Sequence, residues 1–216
     1  GARTVLMYTK LFLELGMQVT FLPNDFFPFQ PYTQELEQMG VEVLYGNYYM
    51  EHGKDWLIEN GKYFDYVYTN RPHISIEYMD LLKKYSKAKV IYYGHDLHYL
   101  REQRQYEIEH NAELLKSSEK WKKIEFELCR KADVVYAVGE YEAAVLKKEF
   151  PDKIIRCVPA YIYDTIDTNK MPSIENRRDI LFVGGFGHPP NIDAVMWFGK
   201  EVFPKILEKC PDMVWY

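Results

Sequence analysis

Val90-Ile91-Tyr92-Tyr93-Gly94-His95-Asp96 is a short β-branched and aromatic run that ends at a glycine and two polar residues. Continuous apolar runs of this length are typical of strands in a parallel sheet that helices cover on both faces. Similar runs occur elsewhere in the chain, at 19–22, 41–45, 66–69, 134–138, 154–158, 180–183 and 213–216.

Amphipathic stretches separate these runs. They predict helices at 4–15, 32–39, 75–85, 140–148 and 193–209, and a longer one within 98–131. Strands that alternate with helices predict an α/β fold with a parallel sheet. The polar segment 164–178 contains Pro172 and is typical of a linker. We therefore expect one α/β domain over 1–163 and the first βαβ piece of a second over 179–216.

The two ends of the chain interrupt this pattern. The sequence opens on a helical pattern where a strand is expected, and it stops inside the run 213–216. We therefore expect both domains to continue beyond the given residues.

Composition excludes several classes of protein. The 216 residues carry a formal net charge of −5, whereas general nucleic-acid binding needs a clustered excess of Lys and Arg. Three widely spaced cysteines fit neither a disulfide framework nor a zinc site, and they indicate a reducing compartment. The sequence contains neither an apolar run of about 20 residues nor a signal-peptide pattern. We expect a cytoplasmic protein without a transmembrane segment that does not bind nucleic acid.

One candidate ligand loop follows the run 180–183 and reads Gly184-Gly185-Phe186-Gly187-His188-Pro189-Pro190-Asn191. Glycines let a backbone approach a ligand closely, and the N-terminus of the following helix attracts phosphate. The loop is not a GxGxxG fingerprint, and it lacks the lysine of a P-loop. Anion binding and a plain glycine turn, with the prolines starting the helix, both remain open.

A second candidate loop, Gly94–Arg101, follows the run 90–93 and gathers two histidines, a carboxylate and an arginine. A histidine there can hydrogen-bond a polar substrate or carry a proton near neutral pH. His95, Asp96 and His98 alone do not complete a metal site, and we expect no metal. The alternative is a helix start in which Asp96 is the N-cap and Arg101 lies on the solvated face. The density of polar groups favours a functional loop.

Two further arginines are weaker candidates. Arg71 follows the run 66–69 and could hold a phosphate or carboxylate, although a surface turn is the simpler interpretation. Arg3 would lie at the same edge if Gly1–Thr4 forms the loop after a strand upstream of the chain.

The residues resemble one known family. The stretch from Arg178 to Phe186, continued by His188–Ala194, resembles the opening of the second domain in glycosyltransferases of family 4 (group 1), which have the GT-B fold. Gly1–Thr4 resembles the glycine-bearing loop after the first strand of these enzymes. Leu15–Thr20 resembles the residues that lead into their second strand. Gly94-His95-Asp96 resembles their histidine-bearing loop. Gly139 departs from the family pattern, in which serine is usual at that place.

This resemblance implies two Rossmann-like domains that face each other across a cleft, with the start of the second at 179–216. The second domain would bind a nucleotide-diphosphate sugar donor and the first the acceptor, without a metal, because helix dipoles and basic side chains stabilise the departing diphosphate. By the resemblance, His95 is catalytic and reaches the donor sugar. The residues implied at the donor are Gly184, Gly185 and Asn191, and those implied on the acceptor side are Arg3, Arg71, Asp96 and Arg101.

The resemblance further implies a retaining glycosyltransferase that acts on a glycan, lipid or protein acceptor in polysaccharide or glycoconjugate synthesis. A lipid acceptor would leave peripheral membrane attachment open. The acidic motif and the basic diphosphate grip of the family would fall beyond Tyr216, so we expect these 216 residues alone to be inactive. Two alternatives are a GT-B nucleotide-sugar epimerase and a non-catalytic module that binds a glycan or a partner protein.

Overall fold

A computed structural model of the chain describes residues 2–163 and 165–216, and its strands pair in parallel. The strands in these residues are β1 (Thr20–Phe21), β2 (Glu42–Val43), β3 (Tyr66–Asn70), β4 (Lys89–Tyr93), β5 (Val134–Ala137) and β6 (Ile154–Cys157). Strands β3 to β6 form one sheet in that order, and β1 pairs with β2 in another. The predicted α/β fold with a parallel, Rossmann-like sheet is confirmed.

Helices connect the strands. Within the same residues they are α1 (Ala2–Glu14), α2 (Tyr32–Gln38), α3 (Asn47–Asn60), α4 (Pro72–Tyr85), α5 (His98–Glu109), α6 (Ala112–Lys131), α7 (Glu140–Glu149), α8 (Pro189–Trp197) and α9 (Phe203–Leu207). Their starts have local causes. Helix α4 begins with Pro72, whose fixed φ suits the first helical turn, and α6 begins where the side chain of Asn111 accepts the amide of Glu113 at 3.0 Å.

Helix α3 was not predicted from the sequence. Its aromatic start and the glycine at its centre, Gly53, obscure the helical period. The structure explains this glycine, because a Cβ at Gly53 would lie 2.9 Å from the ring of Phe26. Packing of the loop after β1 against α3 therefore requires a residue that weakens the sequence signal for the helix.

The single long helix predicted within 98–131 is two helices. His110 ends α5 in the left-handed conformation at φ 54°, and Asn111 caps α6 directly afterwards. A left-handed residue cannot continue a right-handed helix, so the chain reverses here into an α-hairpin.

The main core lies on one face of the larger sheet, which the strand register gives to Val90, Val135 and Ile155 alike. Val90, Val135 and Ile155 on its strands are at most 1% exposed, and Met79 of α4 and Leu128 of α6 cover them with no exposed surface. On the other face Tyr93 is buried and Ile91 and Val134 are half-buried, which explains why these strands read as continuous apolar runs rather than as alternating ones.

The chain forms two compact units, Gly1–Tyr163 and Asp164–Tyr216. In the second, Ile180 and Trp215 form a parallel bridge, and α8, the π-helical turn Phe198–Val202 and α9 lie between them in sequence. The helix predicted at 193–209 is therefore present with an irregular centre. Residues 165–175, 177 and 178 are exposed, and the short 3₁₀ turns Thr168–Lys170 and Ile174–Asn176 lie in this part of the chain.

None of the helices in the described part of the chain combines the length and the hydropathy that a membrane span needs.

Candidate active site

The carboxyl ends of three strands lie side by side. Asn70 at the end of β3 pairs in register with Tyr93 of β4, and Tyr93 pairs with Tyr136 of β5. Because the strands are parallel, the loops that follow them leave from the same edge of the sheet, where ligands bind in open α/β folds. The loops that begin at Arg71 and Gly94 are therefore neighbours.

His95 is held by residues of this edge. Its Nε2 lies 3.0 Å from Oδ1 of Asn70, and its ring packs on the ring of Tyr93 with the centroids 4.6 Å apart. The amide of Arg71 donates to the carbonyl of Tyr93 at 3.0 Å, which ties the two loops together. The imidazole therefore has a defined position between β3 and β4.

The backbone is strained at the same place. Arg71 has φ 62° and His95 has φ 70°, although neither is a glycine. A left-handed conformation costs a non-glycine residue about 1–2 kcal/mol, and residues held in it cluster at functional sites. Two such residues on adjacent loops mark this edge as the candidate active site.

Burial and charge control the protonation of His95. Its ring is partly buried, and this lowers its pKa from the ordinary histidine value. The positive charge of Arg71 lowers the pKa further. Both effects disfavour the imidazolium, so near neutral pH His95 is a neutral hydrogen-bonding group.

Asp96 does not cap α5, contrary to the alternative that the sequence left open. The N-cap residue is Leu97, whose side chain cannot accept a hydrogen bond, and Asp96 instead forms an ion pair with Arg101. The structure thus brings Asp96 and Arg101 together, one turn into α5. Asp96 also lies 3.5 Å from Nδ1 of His98.

Glu125 of α6 provides the missing cap. It has no exposed surface, and its carboxylate accepts the amides of His98 at 2.7 Å and Tyr99 at 3.2 Å. Its Oε1 also lies 3.2 Å from Nδ1 of His98, and this interaction raises the pKa of His98. Glu125 therefore positions the helix that follows the His95 loop.

Glu125 was missed by sequence reasoning, although its spacing contained a signal. It lies seven residues after Ser118 and four before Cys129, and all three are buried on one stripe of α6. A carboxylate at that helical spacing, on the apolar face, has to be paired with hydrogen-bond donors.

Glu142 is a second acidic group that sequence reasoning missed. It lies in the first turn of α7, and the amide of Leu97 donates to its Oε1 at 3.4 Å. Burial raises the pKa of Glu142, so this carboxyl holds a proton more readily than an exposed one.

Tyrosines lie beneath the edge. Tyr8 of α1 stacks on Tyr68 of β3 with centroids 5.5 Å apart, and Tyr68 lies 6.1 Å from Tyr93. The hydroxyl of Tyr8 donates to the carbonyl of Pro159 at 2.5 Å, which holds α1 against the chain after β6. These rings support Tyr93 and, through it, the imidazole of His95.

The sequence predicted that Arg3 lies on a loop, but the structure places it in helix α1. It lies on the exposed side of α1, and its guanidinium stands 5.6 Å from the centroid of the Tyr163 ring. Helix α1 begins two residues before the predicted start at Thr4, and Gly1 lies outside the described residues.

The glycine loop of the second unit, Gly184–Asn191, has contacts within that unit. A Cβ at Gly184 would lie 2.7 Å from the ring of Phe182 and 2.9 Å from Nδ2 of Asn191, so a side chain here would displace these two side chains. At Gly185 a Cβ would meet nothing within 4 Å, and the side-chain Nδ2 of Asn191 donates to the carbonyl of Gly185 at 2.9 Å. Pro189 and Pro190 start α8, as the sequence indicated. The role of Gly184, Gly185 and Asn191 at a donor remains a prediction.

Residues 2–163 and 165–216 contain no group of three or more His, Cys, Asp or Glu side chains arranged to hold a metal ion. Comparison of the chain with protein-family models, with curated proteins and with solved structures gave no match.

Proposed function

We propose that these residues belong to a retaining glycosyltransferase of the GT-B type, which moves a sugar from a nucleotide-diphosphate donor to a glycan, lipid or protein acceptor. The observation that carries the proposal is a neutral, immobilised histidine beside an arginine at the carboxyl edge of a parallel sheet. The reaction, transfer of a sugar with retention, is inferred from the resemblance of two segments to glycosyltransferase family 4. These are Gly94-His95-Asp96 and the segment that contains Gly184-Gly185.

His95 suits a group that contacts a sugar. A neutral imidazole offers one donor and one acceptor, which matches hydroxyl groups, and its low pKa keeps it in that form near neutral pH. Because burial and the ring of Tyr93 hold it still, little reorganisation is needed when charge develops on the sugar.

Arg71 suits an anionic neighbour. Its guanidinium is always charged and can hold a carboxylate or phosphate with two parallel hydrogen bonds. In the proposed enzyme, Arg71, Asp96 and Arg101 line the acceptor side, and Gly184, Gly185 and Asn191 contact the donor. A metal cofactor is not part of the proposal.

The test is sugar transfer by the full-length gene product that contains these residues. His95→Asn should lower kcat/KM at least 100-fold, because asparagine tolerates the left-handed backbone but cannot replace the imidazole. His110→Asn is the matched control, since His110 is also a left-handed histidine but is exposed at the end of α5. Equal activity in the two variants would contradict the role of His95.

A second pair of variants tests the glycine loop. Gly185→Leu should raise the KM for the donor, because its side chain fills space that no described atom occupies within 4 Å of the Cβ. Gly187→Leu, in equally open space on the same loop, is the control. An unchanged KM in the Gly185 variant would contradict donor binding there.

The reaction products distinguish the proposed transferase from an epimerase and from a non-catalytic binding module. An epimerase changes the nucleotide sugar when no acceptor is present. A binding module binds glycan without nucleotide, and it neither hydrolyses nor transfers any donor. Either result would replace the proposed transferase.

A further inference from the structure

The hydrogen bond between Asn70 and His95 carries information about which ring nitrogen holds the proton. Oδ1 of Asn70 can only accept a hydrogen bond, and it lies 3.0 Å from Nε2 of His95. Nε2 must therefore be the protonated nitrogen of the neutral ring. Nδ1 is then left with a lone pair, and none of the hydrogen bonds among residues 2–163 and 165–216 engages it.

We propose that Asn70 is a positioning residue that holds His95 as the Nε2–H tautomer, so that Nδ1 accepts a hydrogen bond from a ligand hydroxyl. A lone pair attracts an O–H group and repels an oxyanion, so the inference assigns the neutral, hydroxyl-bearing part of the ligand to His95. In identifying that part as the sugar, it rests on the proposed function. The anionic part is left to groups other than His95.

The rest of the site is consistent with this assignment. Asn70 ends β3 in register with Tyr93, so the backbone of the sheet sets the position of its amide. Contact with the ring of Tyr93, which is tilted by 34° from the imidazole, restricts the orientation of the imidazole. An uncharged partner keeps the ring neutral, whereas a carboxylate in the place of Asn70 would favour the imidazolium.

The test is ¹⁵N NMR of the histidine side chains in the ligand-free chain. We expect His95 to show a protonated Nε2 and an unprotonated Nδ1, with slow exchange of the Nε2 proton. In Asn70→Leu, which has a similar volume but no acceptor, this proton should exchange at least 10-fold faster and its signal should broaden. The exposed ring of His110 is the internal control and should not change.

Asn70→Asp is the conservative variant that keeps an acceptor. It should retain the Nε2–H tautomer and raise the pH at which His95 titrates, and it keeps the proposal testable if the leucine variant does not fold. A protonated Nδ1 in the wild-type chain, or an Nε2 proton that exchanges equally fast in wild type and Asn70→Leu, would overturn the proposal. Since no substrate is added, the result is independent of whether the gene product transfers sugar.

A kinetic readout then tests the consequence. If the proposed transferase is established, Asn70→Leu should raise the KM for the sugar donor about 10-fold, and Asn70→Asp should recover part of the loss at a pH above the titration of its His95. Equal KM values in wild type and Asn70→Leu would contradict the hydroxyl contact even if the tautomer is as inferred.

Discussion

Gly94 is the residue on which the position of His95 depends. It is buried directly after β4, and a Cβ there would lie 2.9 Å from the hydroxyl of Tyr92 and 3.3 Å from the carbonyl of Asp96. Tyr92 is 2% exposed and packed in the core, so its ring cannot move aside easily. A side chain at Gly94 must therefore displace the loop that contains His95.

The substitution Gly94→Ser should destabilise the chain by about 2 kcal/mol, the usual cost of overpacking a tightly packed position. The measurement is urea-induced unfolding of the wild type and the variant. Gly139→Ser is the matched control, because a Cβ at Gly139 meets nothing within 4 Å and serine is a favourable N-cap for α7. An equal loss in the free energy of unfolding in the two variants would contradict the role of the contact with Tyr92.

Helices α5 and α6 are joined by a buried polar contact. The carboxylate of Glu125 satisfies two amides at the start of α5, and the side chain of His98 lies against the same carboxylate. Across the hairpin, the hydroxyl of Ser118 donates to the carbonyl of Tyr99 at 2.7 Å. The orientation of α5, and of the loop before it, therefore depends on hydrogen bonds as well as on apolar packing.

This contact makes stability depend on pH in a predictable direction. The carboxylate of Glu125 raises the pKa of His98 above its unfolded value, near 6.5, so the folded state binds the proton more tightly. The stabilisation is complete below the unfolded pKa and is lost as the pH rises through the folded pKa. His98→Gln should therefore cost on the order of 1 kcal/mol more at about pH 5.5 than at about pH 8.5.

His73 supplies a control of opposite sign. Burial and the charge of Arg71 lower the pKa of His73, so its protonation favours the unfolded state as the pH falls. His73→Gln should consequently become relatively more stable at acid pH, in the same urea titrations. A difference of the same sign for both variants would contradict the assignment of the two environments.

Over the whole molecule, the strands were the part that the sequence predicted best. Val90, Val135 and Ile155 are buried on one face of the sheet and Tyr93 is buried on the other, so the strands carry apolar residues at consecutive positions. Helix α3 was not predicted because its central residue, Gly53, weakens the helical pattern. The reason for a glycine there is the close contact with the ring of Phe26, which is 27 positions earlier in the chain. The cap that Glu125 forms on α5 is likewise a contact between distant positions, and no local pattern at His98 could show it.

The two units differ in what holds them together. The first has a core of fully buried side chains, whereas none of the described residues from Thr165 to Tyr216 is buried. In the second unit, the run predicted as a strand at 180–183 forms only the isolated bridge of Ile180 with Trp215, and Leu181 and Val183 are 72% and 85% exposed. Apolar burial is the dominant stabilising term in folding, so the second unit has little to resist local opening.

We therefore expect amide hydrogen exchange to separate the units in the 216-residue chain. The amide of Ile180, which donates to Val214 at 2.9 Å, and that of Tyr216, which donates to Ile180 at 2.9 Å, should exchange at least about 100-fold faster than those of β4 and β5. The measurement is exchange followed by mass spectrometry at several protein concentrations. Equal protection that persists on dilution would contradict the expectation, whereas protection that appears only at high concentration would mean that a second copy covers Leu181 and Val183.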